Sequence, residues 1–369
     1  MMSSLSPHVQ PEIPAAQQLP GLRSRIGGAL AAFLDARAGH WPEPAAKQGG
    51  SQLVWEALRG FVLAPGKRLR PALCYWGWRA AGGADCQPII QVAASLELFH
   101  AFCLIHDDVM DRAATRRGRP ALHRYLADLH ARSAWRGDAA RFGANTAIDC
   151  GDLLLAWSDE MYRTSGLPAT ALAAADAQLA RMRTETIAGQ FLDLHEQARG
   201  GSLAGALNVI RHKTSPPTVE GPLRIGAAAA GAGPQLLEAL TAVGRPLGEA
   251  FQLRDDLLGV FGDPEVTGRH AADELREGRP TVLIALTRER ADARQARQIA
   301  ALHGRANLTA LGAAQLRRIM LATGAPAAVE DMIAVRVLAA RAALAAAPVA
   351  PEAREVLAAL IDAATRRDL

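Results

Sequence analysis

Lysine is nearly missing from this chain. Of 41 basic residues only Lys47, Lys67 and Lys213 are lysines, and the rest are arginine. Clusters of β-branched and aromatic residues, the usual mark of strands, are scarce as well, so a sheet-built core is not expected. Cysteine occurs only at positions 74, 86, 103 and 150. These four have no metal-ligand spacing and two lie in apolar segments, which reads as reduced core thiols of a cytoplasmic protein. The opening MMSSLSPHVQPEIPAAQQLPG lacks a basic segment followed by an apolar one, so no signal peptide is expected. No stretch of about 18 residues or more is purely apolar, which argues against a membrane span. The net charge of +4 is modest and its bases are interleaved with acids, so no nucleic-acid surface is indicated.

What is present is helical periodicity. After residue 50 the 369-residue chain is rich in Ala, Leu and Arg, broken by short Gly or Pro punctuation, and no linker divides it. The pattern predicts a disordered tail over 1–20 and one all-α domain over 21–369. Helices are expected near 22–38, 52–63, 88–111, 145–163, 168–198 and 235–260. The stretch 128–142 reads as a polar surface excursion, and Pro216-Pro217 as a break.

The helix from Pro88 is almost continuously apolar until it meets His106-Asp107-Asp108-Val109-Met110-Asp111. Asp107 and Asp111 are four residues apart and share a helical face, with Asp108 beside them. Like charges at a helix C-terminus repel one another and the macrodipole, so cations must be supplied. Oxygen-only ligands suit a hard ion such as magnesium; a solvated acidic helix end is the bland alternative.

The acids are followed at once by Arg112, Arg116, Arg117, Arg119 and Arg124. Arginines grip phosphate oxygens bidentately, so acid then base suits a metal and a diphosphate, although a surface salt-bridge cluster has the same composition. Upstream, Pro65-Gly66-Lys67-Arg68-Leu69-Arg70-Pro71 is a cationic turn. Downstream, Gln190 and Asp193 lie three apart on one helix face, as cavity lining or as core hydrogen-bonding groups. A second acidic motif, Phe251-Gln252-Leu253-Arg254-Asp255-Asp256, again closes an apolar helix and leads into a Gly- and Arg-bearing loop. One idea has been built twice.

These motifs, with Gly189-Gln190 and Lys213-Thr214, make the chain resemble the trans-isoprenyl diphosphate synthases (polyprenyl synthetases), above all the short-chain geranylgeranyl and farnesyl diphosphate synthases, over roughly residues 50–290. The resemblance implies long, mostly antiparallel helices around a central cavity, as in the isoprenoid synthase fold, and usually a homodimer. It implies a head-to-tail condensation in which an allylic diphosphate (dimethylallyl, geranyl or farnesyl) loses diphosphate and isopentenyl diphosphate attacks the resulting cation. Asp107, Asp111 and Asp255 would anchor three magnesium ions, with Asp108 and Asp256 supporting that metal set. Arg116, Lys213, Gln252 and Arg269 would hold the allylic diphosphate, and Lys67, Arg70, His100 and Arg117 the isopentenyl diphosphate. Lys213, Thr214 and Gln252 would carry the catalytic step, the latter two as oxygen dipoles toward the cation.

Three departures stand out. A third aspartate common in the second motif would fall at Gly259, and lysine is usual where Arg269 and Arg279 stand. Two of the three lysines nevertheless remain in the functional motifs, which fits a compositional bias restrained by function. Phe102 and Phe99 lie five and eight residues before Asp107, about 7 and 12 Å down the helix. In the family an aromatic residue five before the first aspartate goes with short products, and Cys103 is small, so a C20 product is expected, with C15 as the competitor. Both rings could also be ordinary core. A terpene cyclase would not need Lys67 and Arg70. A non-catalytic partner subunit is disfavoured by the intact first motif, although Gly259, Arg269 and Arg279 keep it in view. Arg366 and Arg367 are candidates to close over the diphosphate.

Overall fold

A helix that is apolar on every face must be buried. The computed structural model, which describes residues 15–39, 50–116, 118–263 and 271–365, puts the apolar run at the centre of the core. The first half of the chain forms α1 (Ala15–Ala38), α2 (Gly50–Leu63), α3 (Leu69–Ala80), α4 (Gln87–Met110), α5 (Leu122–Arg132), α6 (Ala139–Arg163) and α7 (Ala169–Arg199). Helix α4 starts with Pro88 in its first turn, where a missing N–H costs nothing. It packs against α1, α2, α3, α5, α6 and the later α9 (Gly221–Ala229). Among the described residues α4 alone is long and apolar enough to cross a membrane, but 72% of its most apolar window is buried inside the protein. Its apolar faces are used by neighbouring helices.

The second half adds α8 (Leu203–Val209), α10 (Pro234–Phe261), α11 (Ala271–Glu277), α12 (Val282–Arg290), α13 (Ala293–Leu302), α14 (Ala310–Ala322), α15 (Ala325–Ala346) and α16 (Pro351–Thr365). One apolar cluster gathers around α3, α4, α6 and α9, and a second joins α10 to the C-terminal helices. Two glycines set the α3–α9 contact. A Cβ on Gly77 would lie 2.2 Å from the Leu223 carbonyl oxygen, and one on Gly226 1.8 Å from that of Cys74, so only glycine allows this approach.

The all-α expectation holds, and the local differences have physical causes. Ala15 to Pro20 already belong to α1, so the helix reaches into the expected tail, whose first 14 residues lie outside the described ones. The excursion shrinks to 133–138. Asp138 caps α6 by accepting from the Arg141 N–H at 2.6 Å, and the rings of His130, Trp135 and Phe142 pack together across the turn. A two-residue hairpin, β1 (Thr115–Arg116) and β2 (Arg119–Pro120), follows α4 with Gly118 at φ +71°. Nor does the chain break at Pro216. Prolines 216 and 217 have no N–H for the ordinary four-residue hydrogen bond, and two π turns, Ile210–Thr214 and Pro216–Glu220, carry the helix through. Ser215 donates to the Ile210 carbonyl and Gly221 to that of Pro216, each five residues back.

Candidate active site

The two acidic helix ends and the π turn open onto one cavity of about 540 Å³. Asp107 reaches it from α4, Asp255 and Asp256 from α10, and Lys213 and Thr214 from the first π turn. Arg70, His100, Phe102, Arg116, Gln190, Asp193, Gln252 and Arg279 also line it. The sequence left Gln190 and Asp193 open between cavity lining and core; both line the cavity.

Each functional side chain is placed by an identifiable contact. Gly189 lets α7 touch the π turn, since a Cβ there would lie 2.3 Å from the Lys213 nitrogen. Lys213 Nζ then donates to Asp107 Oδ1 at 2.7 Å and to Asp193 Oδ2 at 2.6 Å. Arg279 stands 3.5 Å from Asp107, 2.7 Å from Asp111 and 3.1 Å from Glu277. The repulsion evident in the sequence is thus met by the chain's own cations. Arg70 donates to Thr218 Oγ1 at 2.8 Å, and Gln252 Nε2 to Asp256 Oδ1 at 2.7 Å. Arg68 adopts a left-handed conformation at φ 50° and is tied to buried Glu97 and to the carbonyls of Val62 and Ala64, which fixes the cationic turn.

Some expected residues stand apart from the cavity wall. Asp108, one residue on from Asp107, faces about 100° away; it is buried and held by Arg116, whose Nε lies 2.9 and 3.2 Å from its two oxygens. Asp108 and Arg116 are therefore each other's partners, although Arg116 also reaches the cavity. Asp111 is buried beneath Arg279. Lys67 is exposed and outside the lining. Phe102 lines the cavity, whereas Phe99 lies behind it with ring centroids 5.6 Å apart and the Arg183 guanidinium over its ring. Arg117, Arg269, Arg366 and Arg367 lie outside the described residues. Sequence reading missed Thr218 and Glu277, neither of which belongs to a motif.

The electrostatics follow from burial and pairing. Burial works to raise the Asp107 carboxyl, but Arg279 and Lys213 outweigh it and hold the group well below the ordinary range. Asp111 moves the other way, because burial and the charge of Asp107 prevail over Arg279. Burial would lower Lys213, yet Asp107 and Asp193 hold its ammonium above the ordinary value. Burial, aided by the charges of Asp255 and Glu274, pushes Asp256 up to about 8 against its hydrogen bond from Gln252.

Among the described residues no three His, Cys, Asp or Glu side chains converge into a closed cage. A small hard cation held by one or two carboxylates together with ligand phosphates would need no such group, and the oxygen donors on the cavity wall fit such an ion. A cavity with carboxylates, four cations and an aromatic wall can hold a metal-bound diphosphate with an apolar tail.

The sequence matches the Polyprenyl synthetase family over residues 51–318. It is 37% identical over 239 residues to the geranylfarnesyl diphosphate synthase of Aeropyrum pernix, covering 63% of this chain and 70% of the relative. It is 36% identical over 223 residues to a (2E,6E)-farnesyl diphosphate synthase of Mycobacterium tuberculosis, covering 60% of this chain but only 56% of that protein. The crystal structure of a geranylgeranyl pyrophosphate synthase from Corynebacterium glutamicum, complexed with isoprenyl diphosphate and magnesium, superposes with a TM-score of 0.90 at 38% identity, covering 95% of this chain and 99% of that one. With the motifs in family order, the fold shared and the acids and cations on one cavity, the chain belongs to the polyprenyl synthetase family.

Proposed function

We propose that the protein is a short-chain trans-prenyltransferase that condenses isopentenyl diphosphate with an allylic diphosphate, with geranylgeranyl diphosphate (C20) as its main product. One observation carries this reading: Asp107, Asp255, Asp256, Lys213, Arg116, Arg279 and Arg70 line the same cavity as Phe102. Asp107 and Asp255 on the cavity wall, with Asp111 once released from Arg279, would hold magnesium, which would neutralise charge on the leaving diphosphate. Lys213 and Arg116 orient that diphosphate, while Arg70, braced by Thr218, and His100 hold isopentenyl diphosphate. The allylic C–O bond breaks with its electron pair on diphosphate. The isopentenyl double bond then attacks the cation, and transfer of a proton to the departed diphosphate restores a double bond. Gln252 has its amide nitrogen on Asp256, which leaves its carbonyl oxygen for the cation alongside the Thr214 hydroxyl. Neither oxygen is a strong nucleophile, so the cation is stabilised and not trapped.

The magnesium complex of the Corynebacterium relative supports the choice of ion, and the relatives' different products leave chain length to this protein's own cavity. Phe102 on the cavity wall supports a short product. A second copy is the expected partner. Ile187, Phe191 and Leu194, exposed on α7, also line the cavity, so the dimer rests on the family resemblance and light scattering on the purified chain checks for it.

The test is purified protein with magnesium, radiolabelled isopentenyl diphosphate and each allylic primer in turn. Elongation to C20 supports the proposal, and termination at C15 favours a farnesyl diphosphate synthase. Silence without an added partner favours the non-catalytic subunit. Phe102→Ala should lengthen the product on chromatography, and an unchanged distribution would remove Phe102 as the floor.

A further inference from the structure

The two acidic motifs are not equal. In α4 the residue four beyond Asp107 is Asp111, and Arg279 joins the two. In α10 the residue four beyond Asp255 is Gly259, which has no side chain to offer. A glycine in a helix interior costs about 1 kcal/mol relative to alanine, so its presence calls for a steric reason. The reason is visible on α11. A Cβ built on Gly259 would lie 3.1 Å from Glu274 Cδ, 3.1 Å from its Cγ and 3.4 Å from its Oε2. The Glu274 side chain therefore lies against the place where a side chain at 259 would begin.

We propose that Glu274 completes the second acidic set: a long acid from the neighbouring helix stands where α10 has only Gly259, and acts as a positioning residue for a divalent cation held at Asp255 and Asp256. The exchange is one of size, because the glycine admits the longer side chain. Glu274 is close enough for its charge to act on Asp256, Glu277 and Arg279, the groups that frame this side of the site. A carboxylate next to the ligands orients the ion's coordinated waters by accepting their protons in hydrogen bonds. The assignment rests on the reading of this cavity as a metal and diphosphate site.

The test uses the full chain and reads cation binding directly. Mn²⁺ is titrated into the protein in the presence of inorganic diphosphate, followed by electron paramagnetic resonance, for the wild type, Glu274→Gln, Glu274→Ala and the double variant Gly259→Asp with Glu274→Ala. Glu274→Gln, which keeps shape and removes charge, should weaken Mn²⁺ binding about 10-fold, as loss of outer-shell partners does elsewhere. The double variant should bind more tightly than Glu274→Ala, returning most of the loss, which a merely structural role for Glu274 would not produce. Wild-type affinity in Glu274→Gln, or a double variant no better than Glu274→Ala, overturns the proposal. Thermal melts identify a variant that fails to fold, and the isosteric Glu274→Gln then decides. Failure of the wild type to elongate any primer, with Glu274-dependent Mn²⁺ binding intact, would refute the prenyl-transfer reading and leave this assignment standing. Elongation with Mn²⁺ binding indifferent to Glu274 would do the reverse.

Discussion

Removing the ammonium at Lys213 should cost stability as well as catalysis. In the metal-free protein Lys213 bridges Asp107 at 2.7 Å and Asp193 at 2.6 Å, and its side chain is only 18% exposed. Lys213→Met keeps the stem and leaves two carboxylates without their shared cation. Breaking one partner out of a buried pair costs about 3–5 kcal/mol. Arg279 remains 3.5 Å from Asp107, so Asp193 bears most of the loss and the lower end, about 3 kcal/mol, applies near pH 8. With about 2.1 cal/mol/K of unfolding entropy per residue, that is a fall of roughly 4 °C in Tm. The loss must depend on pH. An orphaned carboxyl has its folded-state pKa raised above the unfolded value, so the folded variant keeps a proton that the unfolded chain has released, and its stability falls as pH rises. The gap to wild type should therefore be small near pH 5 and widen toward pH 8. The assay is thermal unfolding by circular dichroism at both pH values in the presence of a chelator. Equal Tm values at pH 8, or the same deficit at pH 5 and pH 8, would refute the pairing as the source of the effect.

Other perturbations follow from single contacts. Gly189→Ala would drive a methyl to 2.3 Å from the Lys213 nitrogen, and should cost about 1–3 kcal/mol in denaturant melts together with most prenyl-transfer activity. Its opposite, wild-type stability and activity, would mean that the π turn does not depend on that approach. His303 is held down to about 4 by burial and then by Arg288, whose guanidinium lies 3.2 Å from its Nδ1. A lowered histidine contributes stability that is complete above its ordinary value and is lost as pH falls toward 4, a change of about 2–3 kcal/mol that His303→Gln should flatten; parallel melts would count against it. Arg279→Lys replaces a fork that reaches Asp107, Asp111 and Glu277 with a single point charge, so metal-free Tm should drop and half-saturating magnesium should fall, and a rise in the magnesium requirement would contradict that competition.

The continuous apolar run was enough to locate α4, because a helix without a polar face is accommodated by burial among other helices. The crowded acids at its end were legible for the same reason: an i, i+4 carboxylate pair at a helix C-terminus is a visible electrostatic cost. What supplied the compensating charge was not legible. Lys213 and Arg279 lie far from Asp107 in sequence, and no local spacing pairs them. Thr218 was hidden in the same way, since it matters only because the helix carries on past Pro216 and Pro217 as a π turn. Two prolines in a row ordinarily announce a break. Here the wider turn absorbs the missing N–H groups, and continuity can be judged only from the backbone around it. Gly259 stands out in the sequence as a position with no side chain to ligate, but its neighbour Glu274 is on another helix and could be matched to it only in space.

The compositional bias now has a structural counterpart. If arginine could serve wherever a cation is needed, a chain so poor in lysine would have little reason to keep one at 213. The site gives the reason. Lys213 sits where the α7 backbone touches the π turn, between two carboxylates approached to 2.7 and 2.6 Å, and a compact ammonium can donate to both from one atom. A planar guanidinium presents its donors from separate nitrogens in a fixed fork, so it could not make both bonds from one atom. At 279 the demand is the opposite, since three carboxylates at 2.7, 3.1 and 3.5 Å are spread around one side chain, and a fork spans them better than a point. The distribution of lysine and arginine in the cavity thus follows the geometry of the acids, close and convergent at Lys213, dispersed at Arg279.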